Sequence, residues 1–344
     1  MLYIVMVTAE CNLSCRYCGG TLATMPRDIT YDLHDLREFI ARDREAVVAF
    51  YGGEPLLRPR LVQRLLHELP ARHFVLQTNG FFMEKLGPDV HRLDAILLSV
   101  DGRPAVTDGY RAPGCYRTVM KARDWLHGQE YAGDLIARMA VSRQTDIYAD
   151  VMHLLQHFPH VHWQLDAVWS ALWGLQEFKE WARLSYLPGI ERLVREWAAC
   201  IEQGTVPGIV PFLGIMQRML WGGSGLPCGA GSSAVAIATD GRVIACPVAG
   251  ELAWNEMGNF HRLRQVTIGE PCTSCDLYPL CGGRCLFAYK ERLWGEEGFD
   301  ALCAVTRHLV EQLAGVRGVA EDALPGLEKE LRYPPFNNTT EVIP

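Results

Sequence analysis

Three cysteines near the N-terminus have the spacing and the chemistry of a metal centre. Cys11, Cys15 and Cys18 lie in the sequence C-N-L-S-C-R-Y-C, directly after an apolar run that begins at Leu2. A 4Fe–4S cluster normally takes four cysteine thiolates, so a set of three leaves one iron open to a substrate or cofactor. The alternative is a zinc site, but zinc sites usually close at four ligands and the sequence has no fourth Cys or His nearby. The spacing therefore favours an open iron–sulfur site.

A glutamate beside two glycines follows the next apolar run. The sequence Y-G-G-E-P contains Gly52, Gly53, Glu54 and Pro55. Glycine lets a ligand backbone approach closely, and a carboxylate can hold an ammonium group through a charge-assisted hydrogen bond. The motif predicts a site for an amine-bearing ligand, although a strand-ending turn with a surface Glu would read the same way.

Seven further cysteines are concentrated in the C-terminal third of the chain. Four of them follow one another with C-x2-C-x5-C-x3-C spacing from Cys272 to Cys285. Two zinc ribbons would share the C-x2-C element, but the C-x5-C-x3-C spacing is unusual for zinc. The full set is Cys228, Cys246, Cys272, Cys275, Cys281, Cys285 and Cys303.

Alternating strand and helix patterns must position these motifs, and they predict an α/β fold of parallel βαβ units. Ligands gather at the carboxyl ends of parallel strands, and the three N-terminal cysteines follow the first strand. A hairpin is predicted over 234–246, with its turn at Asp240-Gly241, and a helical tail from about residue 304. The strand candidates are 2–8, 46–51, 73–78, 95–100, 135–141 and 161–167, and the helix candidates include 31–43, 59–69, 116–127 and 147–157.

Together the N-terminal motifs resemble those of the radical S-adenosylmethionine (SAM) enzymes, including the aromatic Tyr17 just before the third cysteine. The resemblance implies a partial, TIM-like (β/α)6 barrel over residues 1–168, whose open iron chelates SAM. In that family an electron from the cluster cleaves SAM to methionine and a 5′-deoxyadenosyl radical, which removes a hydrogen atom from the substrate. The SAM contacts that it implies are Tyr17, Gly52, Gly53, Glu54, Pro55, Gln77, Asn79, Ser99, Asp101 and Arg143. For the last five, a turn-forming or surface role fits the sequence equally well.

The C-terminal cysteines resemble the seven-cysteine SPASM domain, here over residues 226–303, which carries two auxiliary 4Fe–4S clusters. The resemblance therefore implies three 4Fe–4S clusters in all. The family's ligand pairing implies one auxiliary cluster on Cys272, Cys275, Cys281 and Cys303, and the other on Cys228, Cys246 and Cys285.

Two positions depart from similar enzymes that mature sulfatases. Ala234 stands where those enzymes have an extra cluster cysteine, and Pro247 stands where they have an aspartate base. The cluster on Cys228, Cys246 and Cys285 is thus expected to keep an open iron, unless a ligand comes from elsewhere. Formylglycine formation is disfavoured. The unassigned Cys115 and Cys200 are expected to be buried thiols.

The sixth predicted strand carries a candidate base. It reads H-W-Q-L-D, and alternation places His162, Gln164 and Asp166 on one face. If that face points into the barrel, Asp166 could accept a proton from an oxidised substrate radical. A structural aspartate is the alternative.

Composition excludes several function classes. The 344 residues carry a formal net charge of −7 and show no Lys/Arg-rich run, so no nucleic-acid partner is expected. No uncharged apolar stretch is long enough to cross a membrane, and the apolar N-terminus lacks the basic region of a signal peptide. With twelve cysteines, the chain fits metal binding in a reducing cytoplasm better than a disulfide framework.

The whole chain therefore resembles a peptide-modifying radical SAM enzyme, with a helical bridge at 169–225 and a C-terminal helix and tail at 304–344. We expect hydrogen abstraction from a peptide or protein residue, then oxidative cross-linking, oxidation or epimerisation aided by the auxiliary clusters. An external electron donor of the flavodoxin or ferredoxin type is implied. Because Cys11 comes so early, no leader-binding domain is expected before it, and a separate leader-recognition protein or docking on the bridge would position the peptide.

Two alternatives remain open from the sequence. One is a small-molecule cofactor maturase on the same scaffold. The other is an iron–sulfur electron carrier without SAM chemistry. The motif at Gly52, Gly53 and Glu54 disfavours the carrier, because an electron carrier has no use for an amine-binding glutamate beside an open iron.

Overall fold

The computed structural model describes residues 1–18 and 25–333, so the predicted tail beyond residue 333 lies outside the described residues. The chain divides into two compact units. The first comprises Met1–Val100, Thr107–Leu135 and Gly229–Thr267, and the second comprises Asp101–Val106, Ile136–Cys228 and Ile268–Pro344.

The strands of the described residues confirm the predicted α/β pattern, and the first six start within one residue of their predicted positions. They are β1 (Leu2–Thr8), β2 (Val47–Gly52), β3 (His73–Thr78), β4 (Ala95–Ser99), β5 (Asp134–Val141), β6 (His160–Leu165), β7 (Gly208–Ile209), β8 (Ala234–Ile237), β9 (Val243–Ile244), β10 (Glu256–Asn259) and β11 (Arg262–Leu263).

The α-helices follow the strands in the first half and dominate the predicted bridge. They are α1 (Leu33–Ile40), α2 (Pro59–Glu68), α3 (Pro104–Tyr110), α4 (Cys115–Gly128), α5 (Ile147–Leu155), α6 (Leu175–Trp181), α7 (Leu187–Glu202), α8 (Val210–Trp221), α9 (Tyr278–Cys281), α10 (Leu286–Glu291), α11 (Gly295–Gly315) and α12 (Arg317–Leu331). The tail helix expected from residue 304 thus begins earlier, at Gly295.

The first unit is built on a sheet whose β8, β1, β2, β3 and β4 pair in that order as parallel strands. β1 has a neighbour on each side, and Val5, Met6 and Val7 are fully buried, as expected of a central parallel strand. The predicted hairpin is confirmed: β8 pairs antiparallel with β9, and Gly241 in its turn has φ +86°. The pairing of β8 with β1 was not predicted.

In the second unit β5, β6 and β7 are parallel neighbours, and β6 has two different faces. Trp163 and Leu165 are fully buried, and the Trp163 ring meets Phe212 of α8 edge-on at 5.9 Å. Register places Arg138 beside His162 on the opposite face, where Arg138 Nη2 donates a 2.6 Å hydrogen bond to Gln164 Oε1. The predicted alternation of β6 therefore separates an apolar packing face from a buried polar one.

No helix among residues 1–18 and 25–333 has the length and apolar character to span a membrane.

Candidate functional site

The N-terminal cysteines lie on the loop that follows β1, at the carboxyl end of the strand. Cys11 and Cys18 are exposed and Cys15 is partly buried. Backbone bonds shape the loop: Cys18 N donates to Cys15 O at 2.9 Å, and Arg16 N donates to Tyr110 O at 2.8 Å. The loop thus presents its thiols from a backbone that neighbouring residues hold in place.

Tyr17, predicted as a SAM contact, packs within this loop. It is 8% exposed, its ring lies 5.8 Å from that of Tyr110, and the guanidinium of Arg111 lies over it at 5.5 Å. A cation over an aromatic face is a stabilising arrangement. The described contacts of Tyr17 therefore anchor the loop between Cys15 and Cys18.

Gly52 and Gly53 bring the end of β2 against the cysteine loop. A Cβ on Gly52 would lie 2.3 Å from Thr8 O, and one on Gly53 would lie 2.1 Å from Glu10 O. Gly53 N donates to Thr8 O at 2.9 Å, and Glu54 N donates to Glu10 O at 2.8 Å. The sequence reasoning attributed these glycines to a ligand, whereas the close neighbour found here is the chain's own backbone.

Glu54 is a buried carboxylate, 1% exposed, that the chain holds in one orientation. Oε1 accepts from Leu56 N at 2.9 Å and from Thr78 Oγ1 at 2.8 Å, and Oε2 accepts from Asn79 N at 2.8 Å. Burial raises the pKa of Glu54 to about 6, and these three donors oppose the rise. A carboxylate has about four acceptor positions, so Glu54 retains capacity for one further donor. Pro55 follows it, also buried, at the start of a short 3-10 turn.

The end of β3 is tied to the cysteine loop through Asn79. Its Nδ2 donates to Asn12 Oδ1 at 2.8 Å and contacts Cys11 Sγ at 4.0 Å. Gln77, two residues earlier, has a buried Oε1 without a hydrogen-bond partner in the part of the chain that the structure describes. Ser99 is buried at the end of β4. The first unit therefore gathers Glu54, Asn79 and Cys11 at one sheet edge, and sequence reasoning missed Asn12 and Thr78 among their partners.

Two of the predicted SAM contacts, Asp101 and Arg143, belong to the second unit. Asp101 is fully buried, and its Oδ1 accepts from Ala140 N at 2.9 Å. Arg143 is exposed, and its Nη1 lies 3.5 Å from Glu177 Oε1. The predicted SAM contacts of Asp101 and Arg143 stay predictions.

Asp166 directly follows β6 and is fully buried. Neither carboxyl oxygen has a hydrogen-bond partner of ordinary geometry within residues 1–18 and 25–333. Burial raises its pKa to about 7, and the negative charge of Asp101 adds to the rise. The side chains of Ser142, Trp173 and Ser170 oppose it. Ser142 Oγ and Trp173 Nε1 likewise lack ordinary partners in the described chain. Since buried polar groups are nearly always hydrogen-bonded, this group of atoms fits a polar ligand or ordered water.

Five of the C-terminal cysteines line one cavity in the second unit. Cys272, Cys275, Cys281 and Cys303 surround about 230 Å³, together with Cys285 and apolar side chains. Burial raises the pKa of Cys272 to about 11, and the charges of Cys303, Cys281 and Cys275 raise it further. These four are the thiols that the resemblance assigned to one cluster. Four soft donors in a largely apolar lining fit a 4Fe–4S cluster.

The second predicted set of cluster ligands is Cys228, Cys246 and Cys285. Cys228 is partly buried and Cys285 is buried. Cys246 is held by Asn255, whose Oδ1 accepts from Cys246 N at 2.7 Å and whose Nδ2 donates to Cys246 O at 2.9 Å. The assignment of Cys228, Cys246 and Cys285 to one cluster stays a prediction. Within residues 1–18 and 25–333, no three His, Cys, Asp or Glu side chains converge closely enough to hold a single metal ion.

Comparisons with known proteins extend this description. Residues 5–131 match the model of the Radical SAM superfamily. The 7-carboxy-7-deazaguanine synthase of Methanothermobacter thermautotrophicus is 29% identical over 113 residues, which cover 30% of this chain and 43% of that protein. The chain thus matches less than half the length of this curated relative.

Solved structures resemble a much larger part of the chain. Native anSMEcpe with bound AdoMet and Cp18Cys peptide matches with a TM-score of 0.70 and 17% identity, over 94% of this chain and 99% of that one. Streptococcus suis SuiB bound to precursor peptide SuiA matches with a TM-score of 0.56 and 14% identity, over 85% and 73% of the two chains. At these identities the likeness shows the fold. Residues 5–131 therefore match the Radical SAM superfamily, and most of the chain shares its fold with these solved structures.

Proposed function

We propose that this chain is a radical SAM enzyme that oxidatively modifies a peptide or protein substrate. The observation that carries the proposal is the extent of the structural likeness: 94% of the chain matches anSMEcpe, a protein solved with AdoMet and a peptide. The likeness therefore includes the C-terminal cysteine region as well as the superfamily domain. SuiB, solved with its precursor peptide, is a second such neighbour.

The first unit would hold the reactive cofactors. Cys11, Cys15 and Cys18 would ligate a 4Fe–4S cluster with one open iron, and Glu54 would accept a hydrogen bond from the amino group of SAM. The remaining acceptor capacity of Glu54 and the partnerless Gln77 Oε1 of the described chain fit a bound polar group. When bound, the cluster and SAM supply a 5′-deoxyadenosyl radical that can remove a hydrogen atom from a substrate. Tyr17, Gly52, Gly53, Pro55, Asn79 and Ser99 would complete the SAM site of this unit, and Asp101 and Arg143 stay predicted SAM contacts.

The second unit would supply a base. Net two-electron oxidation of a substrate requires its radical to lose one proton and one electron. The pKa of Asp166, near 7, lies where a carboxylate can act as a general base at neutral pH. We assign the proton to Asp166 and the electron to the auxiliary clusters.

The auxiliary clusters would form a SPASM domain. The cavity lined by Cys272, Cys275, Cys281 and Cys303 would take one cluster, and Cys228, Cys246 and Cys285 the other. Ala234 is buried within β8 and registers with Leu2 of β1, so this position serves the sheet core and not a cluster. An open iron on the second auxiliary cluster would bind a substrate thiolate or another donor.

The supply of electrons and substrate completes the proposal. A flavodoxin- or ferredoxin-type donor would reduce the cluster in the cytoplasm, and a separate leader-recognition protein would deliver the peptide. A second candidate, a small-molecule cofactor maturase, is favoured by the similarity to 7-carboxy-7-deazaguanine synthase. That similarity covers only 30% of the chain.

Anaerobic reconstitution followed by SAM and a strong reductant tests the proposal. We expect about twelve irons per chain from three four-iron clusters and formation of 5′-deoxyadenosine. Co-expression with a short peptide encoded beside the gene should then change the mass of that peptide. Full iron loading without any 5′-deoxyadenosine would favour the electron-carrier alternative, and turnover of a small molecule without a peptide product would favour the maturase.

A further inference from the structure

Two arginines line the thiol cavity of the second unit. Arg284 and Arg307 border it with Cys272, Cys275 and Cys303, beside a single acidic lining residue, Asp300. Four thiolates bring four negative charges, only part of which an iron–sulfur core neutralises. Guanidinium groups at this position therefore oppose the excess negative charge of the site.

Arg284 reaches the cavity from a strained turn. It lies between Cys281 and Cys285 at φ +53°, after Gly282 at +63° and Gly283 at +86°. A left-handed backbone costs a non-glycine residue about 1–2 kcal/mol, yet Arg284 is only 5% exposed. A Cβ on Gly282 would lie 1.8 Å from Gly225 O, so the turn is fixed by close backbone packing. The strain is thus maintained at a position that places a buried cation among thiols.

Arg307 reaches the same cavity from α11, one turn after Cys303. Its Nη2 donates to Cys275 Sγ at 3.7 Å. Asp276 holds the guanidinium with two bonds, at 2.6 Å from Nη2 to Oδ1 and 3.0 Å from Nη1 to Oδ2. The paired bonds fix the plane of the guanidinium and so direct one N–H at the sulfur of a proposed cluster ligand.

We propose that Arg307, supported by the buried Arg284, raises the reduction potential of the cluster held by Cys272, Cys275, Cys281 and Cys303. This inference rests on the proposed function, because it requires that cluster. Hydrogen bonds to cluster sulfurs and nearby positive charge stabilise the reduced, more negative state. The two guanidinium groups therefore make the cluster of this cavity easier to reduce than the same four thiolates would without them.

Anaerobic redox titration of the reconstituted enzyme, followed by electron paramagnetic resonance, tests the role of Arg307. Arg307→Gln removes the charge and the N–H directed at Cys275, and we expect its cluster to become about tenfold harder to reduce. For a one-electron couple this is a fall of about 59 mV. Arg307→Lys keeps the charge and should restore part of the shift. Arg317→Gln is the matched control, because Arg317 forms an ion pair with Glu321 at 2.8 Å but does not line the cavity.

The outcomes separate the two proposals. A wild-type iron content near four per chain would refute the auxiliary clusters, whereas an unchanged potential in fully loaded Arg307→Gln would refute only the tuning role. Loss of about four irons in Arg307→Gln but not in Arg307→Lys would also refute tuning, because it would make Arg307 a structural support of the cavity. A downward shift confined to one cluster, absent from Arg317→Gln, supports it.

Discussion

The buried acid of the first unit and that of the second are treated in opposite ways by the chain. Glu54 receives three hydrogen bonds from Leu56, Thr78 and Asn79. Asp166 is equally buried but has no hydrogen-bond partner of ordinary geometry in the described residues. The difference shows that the chain fixes the orientation of the Glu54 carboxylate before any ligand binds, whereas the Asp166 carboxylate is buried without hydrogen-bond donors of ordinary geometry in the described residues. Removing a donor to Glu54 should therefore lower the stability of the protein, whereas replacing the Asp166 carboxylate should raise it.

The largest effect should come from the cluster ligands, which test whether the two units load iron independently. Cys15→Ala should abolish 5′-deoxyadenosine formation and remove about four irons of twelve, because it removes one of the three proposed ligands of the proposed SAM-binding cluster. Cys281→Ala should remove a similar amount of iron from the cavity and leave SAM cleavage measurable. Iron analysis and chromatography of the reaction check both. Retained SAM cleavage in Cys15→Ala would contradict the site assignment.

Asp166→Asn should reverse the usual sign of a core substitution. The folded pKa of about 7 lies above the ordinary aspartate value of 3.8, so the stability associated with Asp166 is present at low pH and is lost as pH rises from about 4 to 7. At 1.36 kcal/mol per pKa unit the loss is about 4 kcal/mol at pH 8. Asparagine does not ionise, so the variant should be more stable than wild type at pH 8 and similar at pH 4.

Urea unfolding at the two pH values measures this effect. Asp322→Asn on the exposed surface of α12 is the control, and it should match wild type at both. A stability change in Asp166→Asn that did not vary with pH would show that the carboxyl group is satisfied after all.

Gly53→Ala tests whether the first unit is held by its own backbone. The new Cβ would lie 2.1 Å from Glu10 O, so the cysteine loop or the end of β2 must move. Overpacking of this kind costs about 3 kcal/mol, and SAM binding should weaken with it. Thermal unfolding and equilibrium dialysis with SAM measure the two effects. Gly128→Ala in α4, where a Cβ meets nothing within 4 Å, should leave both unchanged or slightly improve stability.

Thr78→Val should produce the smallest effect and sharpens the comparison most. It removes the 2.8 Å bond to Glu54 Oε1 and the 3.1 Å bond that Thr78 Oγ1 accepts from Gly80 N. The change in shape is small, and two of the three donors to Glu54 stay in place. A hydrogen bond to a buried charged group contributes about 2 kcal/mol, and its loss should raise the Glu54 pKa further. The free energy of unfolding at pH 7.5 measures this effect, and Thr205→Val at an exposed position is the control. Equal stability of the two variants would show that the bond does not hold Glu54.

The elements of the first half could be predicted from the sequence because their signals are local. Apolar runs separated by amphipathic segments gave the starts of β1 to β6, and the hairpin turn at Gly241 follows from an Asp-Gly pair. The parallel pairing of β8 with β1 joins Ala234 to Leu2, and no local pattern records a contact between residues so far apart in sequence.

The site was predictable in its residue types but not in its contacts. The glycines of the Gly-Gly-Glu motif were found, but their neighbours Thr8 and Glu10 were not, because a backbone approach has no side-chain signature. Thr78 lay within a motif already marked at Gln77 and Asn79, and its position at a strand end was the available signal. The left-handed backbone of Arg284 had no signal in the sequence, because arginine is not a residue that a turn of this kind favours.

The helix that carries Cys303 limits how this chain can change length. Cys303 lies inside the 21-residue α11, whose Leu302, Val305 and Leu309 are buried. One added or deleted residue in a helix rotates everything beyond it by about 100°. An insertion between Gly295 and Cys303 would therefore turn either the thiol away from its cavity or the apolar stripe away from its neighbours. Insertions and deletions among related sequences should accordingly fall before Gly295. The number of residues from the start of the helix to the last cysteine should therefore be constant and can guide their alignment.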